Sequence, residues 1–289
     1  MTDLFVWGGP VTSKQPSAVQ WERPTKILTV SREGSSANQQ AYQGFAGAGA
    51  GWPALAAKAG IGPEDLGSLG IGGFSAFHGF AGAMLSNPED RERVGFVHLA
   101  DACFQGTGTR TPKAGYLEYA IEAARGDKLL VATSNGPWDQ DIYYCYDYPD
   151  ERGHTCYSLT SGSRCIQNLW EAASASTGVK VTTPQIPPAV PAPSLAMQMG
   201  NFLWFHYEPT VAPGDPHGFH VRDLATPYIQ FFGAPWMARR TYPGMPEGSG
   251  SKLWYAVAGA AAAAGALLAW RQYRRSKGRP NPMFGPEEP

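Results

Sequence analysis

Short apolar runs alternate with segments of helical period along most of the chain. Thr25–Ser31 (TKILTVS) is apolar and short enough for a buried strand. Ala37–Ala59 is rich in Ala and Gly and predicts a helix within it. Ser68–Phe74 (SLGIGGF) predicts a second strand that runs straight into a small-residue helix, Ala76–Leu85. Arg93–Leu99 (RVGFVHL) and Lys128–Thr133 (KLLVAT) are the next strands, with helical spacing between them over Gly115–Arg125. Arg164–Ser176 predicts a helix and Asn201–Tyr207 (NFLWFHY) a strand. Val221–Phe232 predicts a closing helix, kinked or broken at Pro227. Thr182–Ser194 carries five prolines and reads as an extended loop. Apolar strands alternating with helices predict an α/β fold, with a mostly parallel sheet flanked by helices.

The pattern changes near the C-terminus. Leu253–Trp270 is an 18-residue stretch without a charge. As a helix it would span about 27 Å, close to the thickness of a bilayer core. Trp254 and Tyr255 stand at one end and Trp270 at the other, and Arg271, Arg274, Arg275, Lys277 and Arg279 follow. That is the layout of a transmembrane helix with aromatic belts and a cytoplasmic basic flank. Nine of the 18 residues are alanine, which drives insertion only weakly, so an Ala-rich helix packed on protein is the competing expectation. Gly259 and Ala263 at i, i+4 would suit close helix contact in an oligomer. The expected organisation is an N-terminal extension (1–24), a domain (25–240), a flexible Gly/Ser-containing linker (241–252), a transmembrane helix (253–270) and a basic tail (271–289).

Composition narrows the classes. Of 289 residues 43% are hydrophobic and 12% aromatic, enough for a sizeable core. Twenty-three basic against 24 acidic residues give a net charge of −1, which argues against a nucleic-acid partner. Met1–Pro10 has no basic segment before an apolar run, so no secretory signal peptide is expected there. A basic tail in the cytoplasm with no signal for the domain leaves the topology open. A virion membrane is one setting that would accommodate both. Cys103, Cys145, Cys156 and Cys165 show no C-x-x-C spacing, so a zinc ribbon is not expected. Two disulfides or buried thiols are both open.

The chemistry centres on Gly72-Gly73-Phe74-Ser75-Ala76-Phe77-His78-Gly79. A strand ending in Gly-Phe-Ser, with a small-residue helix starting at once, is the setting of a nucleophile elbow. Such a turn lifts a serine oxygen above the sheet at a helix N-terminus, where N–H groups favour a developing oxyanion. The alternative is an ordinary strand-to-helix loop with a capping serine. A base and an acid are needed. His78 is too close in sequence, His98 and His206 lie inside strands, and His154 lies in a loop beside Cys156. His217 and His220 follow the last strand and precede the closing helix; His217 is the candidate base and His220 its runner-up. Their i, i+3 spacing near Asp215 also admits a metal pair, the weakest option for want of a third ligand. Asp101, after RVGFVHL, is the preferred acid; Asp139, after KLLVAT, is the other. Oxyanion donors would be the Ala76 N–H and an N–H of the Arg32–Gly34 loop.

GIGGFSAFHGFAGAML followed by VGFVHLADACF resembles the α/β-hydrolase superfamily in a small, cap-less form. There a Gly-x-Ser-Ala-Gly-x-Gly turn and a helix lead to a strand ending in Leu-x-Asp. KLLVATSNG, NFLWFHYE and HGFHVRDLATPYIQFFGAPWM are similar to its later strands, its histidine loop and its closing helix, over roughly residues 25–237. The chain departs from that pattern at Phe77, where the family usually has glycine. The resemblance implies Ser75 as nucleophile, Asp101 as acid and His217 as base. The expectation is therefore a membrane-anchored serine hydrolase acting on an ester or amide, with a lipid or cell-envelope component as one class of substrate. It would need no metal or organic cofactor. The competing expectation is a catalytically silent domain of the same fold, tethered to a membrane as a structural or interaction protein, for instance in a viral particle.

Overall fold

The computed structural model describes residues 1–8, 18–30, 51–103, 105–106, 114–136, 141–147, 154–160, 162–212 and 216–240. The chain divides into a unit over Met1–Tyr242 and a second over Pro243–Pro289. Residues 241–289, with the linker, anchor and tail expected there, lie outside the described residues. Among the described residues no helix is long and apolar enough to cross a membrane.

The apolar runs form one eight-stranded sheet. In chain order its strands are β1 (Thr2–Gly8), β2 (Thr25–Val30), β3 (Leu66–Phe74), β4 (Val94–Ala100), β6 (Leu129–Asn135), β9 (Val181–Thr182), β10 (Leu195–Met199) and β11 (Phe202–Tyr207). The spatial order is β2-β1-β3-β4-β6-β11-β10-β9. The pairs from β2 to β11 are parallel, and the last two are antiparallel. Helices α1 (Gly51–Lys58), α2 (His78–Ser86), α3 (Pro88–Arg93), α4 (Ala114–Arg125) and α5 (Gly162–Thr177) connect the strands. This is the expected α/β architecture with a mostly parallel sheet.

One boundary needs correction. The first residues are not an extension: Leu4–Trp7 are fully buried, and β1 sits between β2 and β3 inside the sheet. A run such as Leu-Phe-Val-Trp is what a strand covered on both faces requires. Arg23 then staples this strand's start to the rest. It donates to the Asp3 carboxylate at 2.9 and 3.1 Å, to Ser68 Oγ and to the Met237 carbonyl.

Alternation of side chains along the strands divides the core into two layers. One face carries Leu4, Val6, Ile71, Val97, Leu99 and Trp204 against α2, α4 and α5. The other carries Phe5, Trp7, Phe96, Val131 and Phe205 against the closing run at 216–239. That run is less regular than a single kinked helix. It alternates α6 (Pro216–Phe219), a π-helical turn (His220–Leu224), α7 (Ala225–Tyr228), a second π turn (Ile229–Gly233) and α8 (Ala234–Arg239). Pro227 lacks the N–H that an α-helix needs, and the wide turns on either side carry the chain past it.

A second sheet was not expected. Strands β5 (Gln105–Gly106), β7 (Asp141–Asp147) and β8 (His154–Thr160) pair antiparallel in the order β5-β8-β7, with Cys145 opposite Cys156. β5 follows the C-terminal end of β4, and the β7–β8 hairpin lies between the C-terminal end of β6 and α5.

Candidate active site

The order in which strands are added reverses at β1 and β3. β1 leads outward to β2 on one side, whereas β3 leads to β4, β6 and β11 on the other. Beyond the C-terminal ends of two such strands lies the crevice where open α/β sheets bind ligands. Ser75 stands at that point, in the short turn Ser75–Phe77 between β3 and α2.

The backbone there is strained. Ser75 has φ 54° and Asp101 φ 45°, and among the described residues they are the two non-glycine residues with positive φ. Left-handed backbone costs an L-residue about 1–2 kcal/mol. The two positions correspond, because Phe74 and Ala100, the residues before them, are register partners on β3 and β4. Adjacent strands lie about 4.8 Å apart, so serine and aspartate leave neighbouring strands side by side. Three bonds hold the turns. His78 Nδ1–H donates to the Ser75 carbonyl at 3.2 Å. The Tyr116 hydroxyl donates to the His78 carbonyl at 2.9 Å. The Asp101 N–H donates to the Thr133 carbonyl at 2.9 Å.

The bulky residue of the elbow has a physical basis. Phe77 is fully buried. A Cβ added at Gly8 would lie 2.2 Å from Phe77 Cδ2, and one at Gly73 would lie 2.2 Å from Phe77 Cγ. The two glycines are register partners on β1 and β3. The space that a small residue normally leaves in the helix is here left in the strands, and the ring fills it.

The structure brings the candidate acid and the candidate base together. His217 Nδ1 lies 2.5 Å from Asp101 Oδ2. The imidazole centroid is 4.2 Å from that of Phe74, the residue just before Ser75. The carboxylate faces Nδ1, so a proton exchanged with a bound molecule would pass through Nε2. The His217 side chain is 37% exposed and that of Asp101 is 6% exposed. The candidate base is thus reachable while the candidate acid is shielded.

The other histidines are set apart by burial. His98, His206 and His220 are fully buried. Burial pushes His220 down to about 4, with nearby His217 and His206 adding and Asp101 opposing, and pushes His98 down to about 3. Burial also lowers His206. The runner-up His220 therefore lies in the interior, with Nδ1 2.8 Å from Thr133 Oγ1, one turn deeper than His217. Among the described residues no three His, Cys, Asp or Glu side chains are grouped to hold a metal.

Asp139 and Arg32 lie outside the described residues. Arg32 follows β2, which β1 separates from β3. Of the two readings of the cysteines, a disulfide holds for one pair: Cys103 and Cys165 are bonded, with Cα atoms 5.6 Å apart. Comparison with models of known families, with curated proteins and with solved structures finds no match.

Sequence reasoning missed Thr133, His78 and Asn135. Asn135 Nδ2–H donates to the Pro216 carbonyl at 2.5 Å, and the Ser163 hydroxyl donates to the Asn135 carbonyl at 2.6 Å. No local pattern marks such a contact, because Asn135 and Pro216 are 81 positions apart.

Proposed function

We propose that the domain is a serine hydrolase of the α/β-hydrolase type, acting on an ester or amide. One observation carries the reading. An accessible histidine, bonded to a shielded aspartate, lies against the residue preceding a serine held in left-handed backbone at the switch point of a parallel sheet. Ser75 Oγ would attack the substrate carbonyl while His217 Nε2 takes its proton. Asp101 would steady the imidazolium through Nδ1. The tetrahedral oxyanion would be met by the Ala76 N–H. Collapse would pass the proton from His217 to the leaving group, and water, deprotonated by the same nitrogen, would release the acyl group from Ser75.

The reading of a silent domain rests on Phe77 and on the small-residue anchor; the Gly8–Gly73 gap accommodates the Phe77 ring, which leaves the anchor as its support. We further propose that Leu253–Trp270 tethers the domain to a membrane, a virion membrane included, with the basic tail on the cytoplasmic side. The Cys103–Cys165 disulfide supports an oxidising compartment for the domain. A fluorophosphonate probe tests the hydrolase reading. Wild type should label covalently, and Ser75→Ala and His217→Ala should lose labelling. Loss of a triad member costs roughly three to six orders of magnitude in turnover, so a fluorogenic ester gives a second readout. Equal labelling of wild type and Ser75→Ala would remove serine chemistry from the site.

A further inference from the structure

We infer that Asn135 is a positioning residue for His217, and that the first turn of α5 is a common mount for both acid and base; the inference rests on the hydrolase reading above. The bonds form a closed circuit. Asp101 holds His217 Nδ1. The residue before His217, Pro216, has its carbonyl held by Asn135 Nδ2–H. The acceptor is a carbonyl, so the amide nitrogen of Asn135 must face it. The carbonyl of Asn135 is held in turn by Ser163 in the first turn of α5. Two residues on, Cys165 is bonded to Cys103, itself two residues after Asp101. Ser163 is fully buried, and Cys103 and Cys165 are 2% and 3% exposed, so the mount is embedded in the core.

His217 stands near the start of a four-residue helix that leads into a wider turn. Asn135 fixes the backbone at the point where that helix begins. The carboxylate then has to select only a rotamer of His217. A shift of about 1 Å in a catalytic group can cost on the order of 100-fold in rate.

The test is Asn135→Asp, which keeps the shape but replaces the N–H donor with an acceptor facing the Pro216 carbonyl. Two readouts separate positioning from mere stability. With an activated ester, kcat should fall about 10- to 100-fold while KM stays within about twofold. In proton NMR, the far-downfield signal of the Asp101–His217 hydrogen bond should broaden or vanish, although the melting temperature stays near wild type. Ser163→Ala, which releases the Asn135 carbonyl, should give a smaller change of the same kind, and it carries the test if Asn135→Asp does not fold. Unchanged kcat with an intact downfield signal would overturn the inference. So would a loss of kcat that only tracks a lowered melting temperature. If wild type neither labels nor turns over ester, the hydrolase reading fails. The NMR arm still decides whether Asn135 holds the histidine.

Discussion

The contact between Phe77 and the paired glycines gives a sharp test, because its two halves behave differently. Consider Gly8→Ala. The new methyl would sit 2.2 Å from Phe77 Cδ2 and 2.9 Å from Cε2, with no backbone atom among its three nearest neighbours. Carbon atoms prefer about 3.5–4.0 Å, so ring and methyl must separate by about 1.3 Å or more. Phe77 stacks on Phe80 at 5.4 Å and is fully buried, which leaves the ring little room. Overpacking of this kind costs about 1–3 kcal/mol. At about 2 kcal/mol the melting temperature of a domain this size falls by roughly 4–8 °C. Phe77→Ala alone opens a cavity and costs about 3–5 kcal/mol. In the double variant the alanine at position 8 occupies part of the vacated space. The double variant should therefore be no less stable than Phe77→Ala alone. Gly73→Ala should not be rescued in this way, because its Cβ also meets the Gly8 carbonyl oxygen at 2.3 Å, a backbone atom. Urea unfolding of the five variants and wild type measures these differences. Additivity of Gly8→Ala and Phe77→Ala within about 0.5 kcal/mol would refute the account, since additive sites do not touch.

Two further outcomes follow from the backbone and from the buried histidines. Ser75→Gly should be more stable than Ser75→Ala by about 1 kcal/mol, because only glycine adopts φ 54° without a steric cost, while both lose labelling by fluorophosphonate; equal thermal stability would argue that the turn is relaxed in solution. His98 and His220 are held neutral in the fold, at about 3 and about 4, against an ordinary value near 6.5. The unfolded chain thus binds more protons between these values, so their contribution is fully present above pH 6.5 and is lost as pH falls toward 4. Each group gives a slope of up to about 1.4 kcal/mol per pH unit, and His98→Phe should remove its own share from the slope measured in urea titrations from pH 4.5 to 6.5. A slope unchanged by that substitution would mean that His98 is protonated in the folded protein.

The sheet's centre and its site were legible in different degrees. The runs ending at Phe74 and Ala100 announced strands whose ends carry Ser75 and Asp101, because buried parallel strands leave unbroken apolar stretches. The loop between the last strand and the closing run marked both His217 and His220 as candidates; one reaches Asp101 and the other Thr133. Which of them meets solvent depends on depth below the rim, and spacing carries no depth. The strand at Thr2–Gly8 went unread because nothing local distinguishes a central strand from a stray apolar run; its neighbours are chosen by topology. The tolerance for Phe77 was hidden for the same reason, since Gly8 comes from a strand 65 positions before Gly73. Asn135 looked like any polar residue ending a strand.

The place of β1 also sets the order in which this protein can become itself. Its register partner Leu69 lies 65 residues after Leu4, and among the described residues β2 pairs with β1 alone. On a growing chain the first strand emerges long before the surface it needs. Until β3 is made, Leu-Phe-Val-Trp has at most an edge strand for company. Contacts of such separation are slow to form, because the loop entropy must be met before the pairing returns anything. Ser75 cannot be set early, for its turn is shaped only when β1 and β3 have closed on the Phe77 ring. Activity should thus trail compaction during refolding, with the oldest and the newer part of the sheet meeting at the very spot where the chemistry is proposed.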